Sequence, residues 1–290
     1  MSHPISHIRH QLPVIATLGK VLSNKLLNRN TTTIPELPSS SVRSSITPRS
    51  PRLVKDFIQH TGGCAEKYAG LVPFHMFPQW SFPIGAKTNL TLPYDFTKVI
   101  NLGCDIEVNG PLRLEESLEL TGQIESIDDN GERAIITNKL ITETSTSPKA
   151  LVVYQKALIP LKRTKAKKVK EKARVPSRAE LIDSIAVNKS SGLEFAFLTG
   201  DFNPLHWSQP WARKLGFSGS ILHGYSSMSR TLEILMRSRL TYDGSKISPI
   251  SISFTAPLPL PSKAGVFIDD NTFYLGAAKG GIAYLVGTIG

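Results

Sequence analysis

The chain predicts an α+β protein made of two units with the same internal order, helices first and an antiparallel meander after them. Three observations carry this. From Val99 onward, apolar and polar residues alternate in Ile106 and Val108, then Leu118, Leu120, Ile124 and Ile127. Asp129-Asn130-Gly131 supplies a hairpin turn before Ala134, Ile136 and Leu140. A second helix-then-strand series starts near Gly224, on the far side of a stretch, 162–178, that is dense in Lys and Arg with Glu171 as its only acid.

Composition sets the outer limits. At 290 residues, with 40% hydrophobic and 20% charged residues, the chain has the make-up of a globular protein with a full core and the length of two ordinary domains. Cys64 and Cys104 are its only cysteines, too few for a disulfide framework or a Cys-rich zinc site, and they suit a reducing compartment. The formal charge of +11 comes from 34 Lys and Arg against 23 Asp and Glu and favours polyanionic partners, including a phosphate-bearing carrier. No nucleic-acid module is recognisable, so nucleic acid is not an expected partner.

Taken in order, residues 1–35 hold no acid, carry Arg9, Lys20, Lys25 and Arg29, and include an apolar run broken by Pro13 and Gly19. The run is too short to span a bilayer. It reads as a basic arm across the domain, with a mitochondrial transit peptide as the alternative. A cytoplasmic protein is expected, a mitochondrial one being the second reading. Residues 38–52, rich in Ser, Pro and Arg, read as a loop. Leu53, Phe57 and Ile58 suggest a short helix that breaks at Gly62-Gly63. The aromatic and proline-dense stretch Val72 to Pro83 reads as a buried wall or helix start rather than a place for chemistry by His75. Leu151 to Leu161 closes the first unit as a strand, and 162–178 follows as an exposed linker.

In the second unit, helical turns lead to a helix from Gly224, with Tyr225, Met228, Leu232, Leu235 and Met236 as its buried stripe. Ile250 to Ala256, Val266 and Ile268, Phe273 to Ala277, and Ile282 to Ile289 read as strands, with a turn at Lys279-Gly280-Gly281. The chemistry concentrates just before that helix. Gly200-Asp201-Phe202-Asn203-Pro204-Leu205-His206 places a carboxylate, an amide and an imidazole within six positions. Asp and His exchange protons near neutral pH, Asn203 can orient a water, and Pro204 stiffens the segment. The same residues also make a good turn. The helix start at Gly224 offers unpaired N–H groups to a developing oxyanion.

The segment Phe195 to Ala212 resembles, position by position, the signature of the MaoC-like (R)-specific enoyl-thioester hydratases, the hydratase-2 family. An aromatic is followed by Leu198, Thr199, Gly200-Asp201, a free position, Asn203-Pro204-Leu205-His206, five residues and the small Ala212. Ile221-Leu222-His223-Gly224 resembles that family's second landmark. The layout is similar to the two-repeat HtdX-type 3-hydroxyacyl-thioester dehydratases, including a stretch from Asn28 to Leu37 and Ala278-Lys279-Gly280. The resemblance implies a double hotdog: two repeats, each an antiparallel sheet wrapped around a central helix.

It divides the chain into an arm (1–35), a first repeat without the motif (36–161), the linker (162–178) and a MaoC-like repeat (179–290). It implies reversible hydration of trans-2-enoyl thioesters, with Asp201 and His206 as acid and base, Asn203 orienting the water and the Gly224 N–H as oxyanion donor. Phe74, Phe77 and Trp80 would line an acyl tunnel, and Arg213 and Lys214 would meet the carrier's phosphates. The substrate would be an acyl-CoA or acyl carrier protein thioester, with no metal or redox cofactor, and a homodimer of the whole chain is compatible with it. Two other readings stay open, a hotdog thioesterase and a non-catalytic acyl-binding subunit.

Overall fold

Among the described residues, ten strands form one continuous sheet: β1 (Val42–Ile46), β2 (Ile100–Val108), β3 (Leu118–Asp129), β4 (Arg133–Glu143), β5 (Leu151–Pro160), β6 (Glu180–Val187), β7 (Ile250–Phe254), β8 (Ser262–Asp269), β9 (Thr272–Gly276) and β10 (Ala283–Ile289). This computed structural model describes residues 4–16, 19, 23, 34–90, 92–162, 172–242 and 247–290. Every neighbouring pair of strands is antiparallel, in the order β1-β3-β4-β5-β2-β7-β10-β9-β8-β6. Matching β1 with β6, β2 with β7 and so on maps this order onto itself reversed, so the halves are topological copies joined where β2 meets β7. Gly103 faces Ser253 there and Ile106 faces Ile250. The fold is an α+β double hotdog whose two expected sheets are fused into one.

The helices that accompany the sheet beyond the N-terminal segment include, among the described residues, α1 (Pro51–His60), α2 (Pro78–Asn89), α3 (Ser191–Thr199), α4 (Gln209–Lys214) and α5 (Gly224–Ser238). α2 packs on β3, β1 and β4, and α5 packs on β6 and β10, which makes them the central helices of the two repeats. The first grows out of the aromatic stretch read as a wall: a short 3-10 turn at Phe74–Met76 runs into α2, with Pro78 in its first turn.

Four expectations need correction. The 38–52 segment is not a loop throughout, because Val42–Ile46 pairs with β3 at the sheet's edge. The second half opens on β6 rather than on helical turns, at the opposite edge. Both are edge strands with polar outer positions, so their alternation is weak against a Ser- and Glu-containing background. The linker is exposed over only part of its described length. Val175 is buried, exchanges backbone hydrogen bonds with Gly280 and Gly281, and belongs to a small core with Ala179, Phe267 and Ala283. Arg163 to Glu171 lie outside the described residues, as do Asn28 to Thr33 of the N-terminal stretch.

Finally, α5 is buried all round, not along one stripe: every residue from Tyr225 to Met236 is buried, Arg230 and Glu233 included. Its polar side faces the first half. Tyr68 donates to Glu233 Oε1 at 2.9 Å, His75 Nε2 lies 3.3 Å from the same oxygen, and Arg230 Nη2 lies 3.1 Å from His60 Nε2.

The described part of the N-terminal segment lies on α3. Gln11 donates to the Phe197 carbonyl at 3.0 Å, and His7 Nε2 is 2.7 Å from Asp56 Oδ2. Val14 occupies the space where a side chain on Gly200 would stand.

Candidate active site

α3 ends at Gly200, whose φ of +88° is the left-handed cap that glycine adopts without strain. The chain then turns through Asp201 to His206. The Asn203 amide donates to Asp201 Oδ1 at 3.3 Å, and the Leu205 amide donates to Asn203 Oδ1 at 3.1 Å, capping the 3-10 turn Pro204–His206. The turn reading holds, and the hydrogen bonds that fold the loop use Asp201 Oδ1, while Oδ2 lies 3.9 Å from His223 Nε2. Asn203 is exposed and its oxygen is engaged by the loop.

The segment Ile221–Gly224 braces this loop from the other side. The Ile221 amide donates to the Leu205 carbonyl at 3.4 Å, and the Ile221 carbonyl lies 2.9 Å from His206 Nδ1. A carbonyl only accepts, so Nδ1 carries the proton and Nε2 keeps its lone pair. His223 Nε2 lies 3.0 Å from the Asp201 carbonyl and 3.9 Å from Asp201 Oδ2, which makes Nε2 its protonated nitrogen by the same reasoning. The two imidazoles stack with centroids 3.7 Å apart and planes 27° apart. Burial pulls His206 below the ordinary imidazole value, with Asp201 pulling the other way, and burial together with His206 holds His223 well below it. Both rings are thus neutral near pH 7, and His206 Nε2 is a free base beside a carboxylate.

His223 begins α5, and Gly224 is its first helical residue. The first-turn N–H groups of a helix have no intrahelical partner, so the Gly224 N–H is available next to the two imidazoles. Glycine is needed there for space as well: a Cβ would stand 2.7 Å from the Phe254 ring. From this point an apolar wall runs toward the first repeat. Phe254 packs edge-on against Tyr225, Tyr225 against Phe77 and Phe82, and a small cavity follows, lined by Phe77, Trp80, Ile84, Leu120, Leu140 and Val153.

The expected residues are distributed as follows. Asp201, His206 and the start of α5 at Gly224 come together. Phe77 and Trp80 line the cavity, whereas Phe74 is buried in the core cluster without touching it. Arg213 and Lys214 are exposed at the end of α4, with Lys214 Nζ 5.5 Å from the Trp211 ring centre. Sequence reasoning passed over His223 as a working residue; its place in the Ile-Leu-His-Gly landmark was the available signal. Asp201, His206 and His223 each offer one ligand atom within 4.8 Å of the others, the donor set of a metal site. His223 Nε2 is, however, committed to the Asp201 carbonyl.

The family model described as MaoC like domain matches residues 168–270, which contain Asp201, His206, His223 and Gly224. The chain is similar to the mouse peroxisomal multifunctional enzyme type 2, 25% identical over 210 residues that make up 66% of this chain and 28% of that protein. It is also similar to the probable dehydratase NIT22 of Ajellomyces capsulatus, 26% identical over 95 residues, 33% of this chain and 25% of that protein. The chain thus spans only about a quarter of the length of these curated relatives. Among solved structures, HtdX of Mycobacterium tuberculosis superposes with a TM-score of 0.69 at 16% identity, covering 86% of this chain and 99% of that one. The matched segment therefore sits in a fold that continues beyond it into the first repeat.

Proposed function

We propose that the chain is a hydro-lyase that adds water reversibly to trans-2-enoyl thioesters, giving (R)-3-hydroxyacyl thioesters. The observation that carries this reading is the juxtaposition of a neutral His206 with a bare Nε2, the Asp201 carboxylate and the open N-terminus of α5. Water held between Asp201 and His206 attacks the β-carbon while one of its protons passes to the dyad. The α-carbon takes a proton from the same pair, so the site ends in the protonation state in which it began. Charge building on the thioester oxygen is met by the Gly224 N–H, a donor already in place and needing no reorganisation. On this reading an acyl chain would lie along the apolar wall from Phe254 through Tyr225 to Phe77. The exposed Arg213 and Lys214 supply cations for the phosphates of coenzyme A or of the acyl carrier protein's prosthetic group.

The match to a MaoC like domain and the name of one relative above, a probable dehydratase, support this class of chemistry. On this reading the first repeat completes an internal pseudo-dimer and shapes the acyl site, while the second carries the acid and base. A thioesterase acting on the same substrates would release free thiol, and an acyl-binding subunit would bind without turnover. The test is purified protein with trans-2-enoyl-CoA substrates of several chain lengths, followed by enoyl absorbance and by a thiol reagent. Loss of absorbance without thiol release supports the reading. Thiol release, or binding without turnover on both carriers, overturns it.

A further inference from the structure

We infer that His223 is the positioning residue of this site, a neutral imidazole that locks the catalytic loop and the His206 ring to the start of α5. The inference rests on the hydratase reading for its kinetic consequence, though not for its structural one. Three contacts meet on this side chain. Its Nε2–H donates to the Asp201 backbone carbonyl at 3.0 Å, which fixes the residue whose carboxylate must face the water. Its ring stacks on His206 at 3.7 Å, closing off rotation of that imidazole and offering a π face to the imidazolium that forms when His206 takes a proton. Its backbone is the residue on which the first turn of α5 is built, since the Ser227 amide donates to its carbonyl at 3.0 Å. Base, carboxylate and oxyanion donor are therefore referred to one rigid part.

The surroundings are suited to keep that part neutral and still. His223 is 1% exposed and its Nδ1 is buried with no hydrogen-bond partner among the described residues. The Phe195 ring of α3 packs on it at 5.1 Å, the neighbouring His206 and the more distant His60 of α1 both disfavour its protonation, and Asp201 is the carboxylate that faces it. The unpartnered Nδ1 lies in a dry pocket and is a poor proton acceptor, and the Asp201 carbonyl holds the proton on Nε2, so partner and burial favour the same tautomer.

Two substitutions separate the contacts. His223→Phe keeps the stack and removes the donor; His223→Gln keeps a donor of similar reach and removes the ring. Each is expected to lower kcat by roughly 10- to 100-fold with KM within about threefold, because the substrate's own contacts are untouched while the reacting groups lose alignment. His223→Ala, which admits water beside His206, is expected to move the acidic limb of the pH–rate profile up toward the ordinary imidazole value.

Independent of turnover, the imidazole nitrogen resonances of His206 are expected to show a single Nδ1–H tautomer in the native chain and an averaged one in both the Phe and Gln variants. Native kcat, native pH profile and an unchanged His206 tautomer in both folded variants would overturn the role. A native protein without turnover but with the variant-sensitive His206 tautomer would remove the hydratase reading and leave the positioning role standing.

Discussion

At the scale of single residues, the site is a matter of which nitrogen holds which proton. The Ile221 carbonyl assigns the His206 proton to Nδ1, and burial keeps the ring neutral against the pull of Asp201. A neutral imidazole with a bare Nε2 beside a carboxylate can accept a water proton and give one back, which neither group does as well alone. Replacing Asp201 by Asn, or His206 by Ala, should therefore lower the hydration rate by about 10² to 10⁴-fold with little effect on folding, because both side chains are partly exposed and replaceable in volume. Steady-state rates alongside a thermal melt check this, and native turnover by either folded variant contradicts it. Gly224 is constrained differently. A methyl group there meets the Phe254 ring, so Gly224→Ala should cost about 1–3 kcal/mol of stability and depress turnover together, which denaturant titration and the rate assay would show.

At the scale of elements, the parts of the fold with strong local signals could be read from the chain and those built on long-range contacts could not. β4 alternates buried and half-buried residues along its whole length, and the Asp-Asn-Gly turn before it is explicit in the sequence. β1 and β6 were missed because an edge strand buries little. In β6 only Ile185 and Val187 are fully buried, and Ser and Arg in β1 look like loop residues until β3 is placed beside them. The one-sided stripe expected of α5 was too narrow a picture, since the residues that cover its polar side, Tyr68, His75 and His60, lie more than a hundred positions earlier. His223 was passed over for a different reason: its stacking partner His206 is only 17 positions earlier, but nothing in the local pattern says that the two rings meet.

Those cross-element contacts have a pH consequence. Burial and the Arg230 guanidinium push His60 down to about 3, although Glu194 Oε2 lies 3.5 Å from its Nδ1, and His206 and His223 are also held below their ordinary value. Above pH 6.5 these rings are neutral in the folded and unfolded chain alike. Below it the unfolded chain binds protons that the folded chain refuses, so stability falls with pH; for His60 the fall runs from about 6.5 toward 3 at up to about 1.4 kcal/mol per pH unit, and His206 and His223 add to it in the same direction. Urea midpoints at pH 8 and pH 5 should differ accordingly, and His60→Gln should flatten the difference; an unchanged slope in that variant would contradict the assignment.

At the scale of the whole molecule, the two repeats behave as one body because they share both a sheet and a polar core. β2 pairs with β7 across the centre, and the Tyr68 hydroxyl of the first repeat meets the Glu233 carboxylate on the central helix of the second, both buried. Tyr68→Phe should leave that carboxylate one donor short and cost about 1–3 kcal/mol. It should shift a single melting transition to lower temperature; two separated transitions would show that the halves unfold independently. The proposed division of labour uses the same architecture: Asp201, His206 and the start of α5 lie in the second half, and an apolar wall leads from Gly224 through Tyr225 to Phe77 and the small cavity in the first. The measurement that bears most directly on it is the absorbance of trans-2-enoyl thioesters, on coenzyme A and on acyl carrier protein, mixed with the native chain and with Asp201→Asn. Decay of the enoyl band by the native chain alone, with no free thiol, is the outcome expected of a hydratase built this way. A stable band with every chain length and both carriers, or decay accompanied by thiol release, would contradict it.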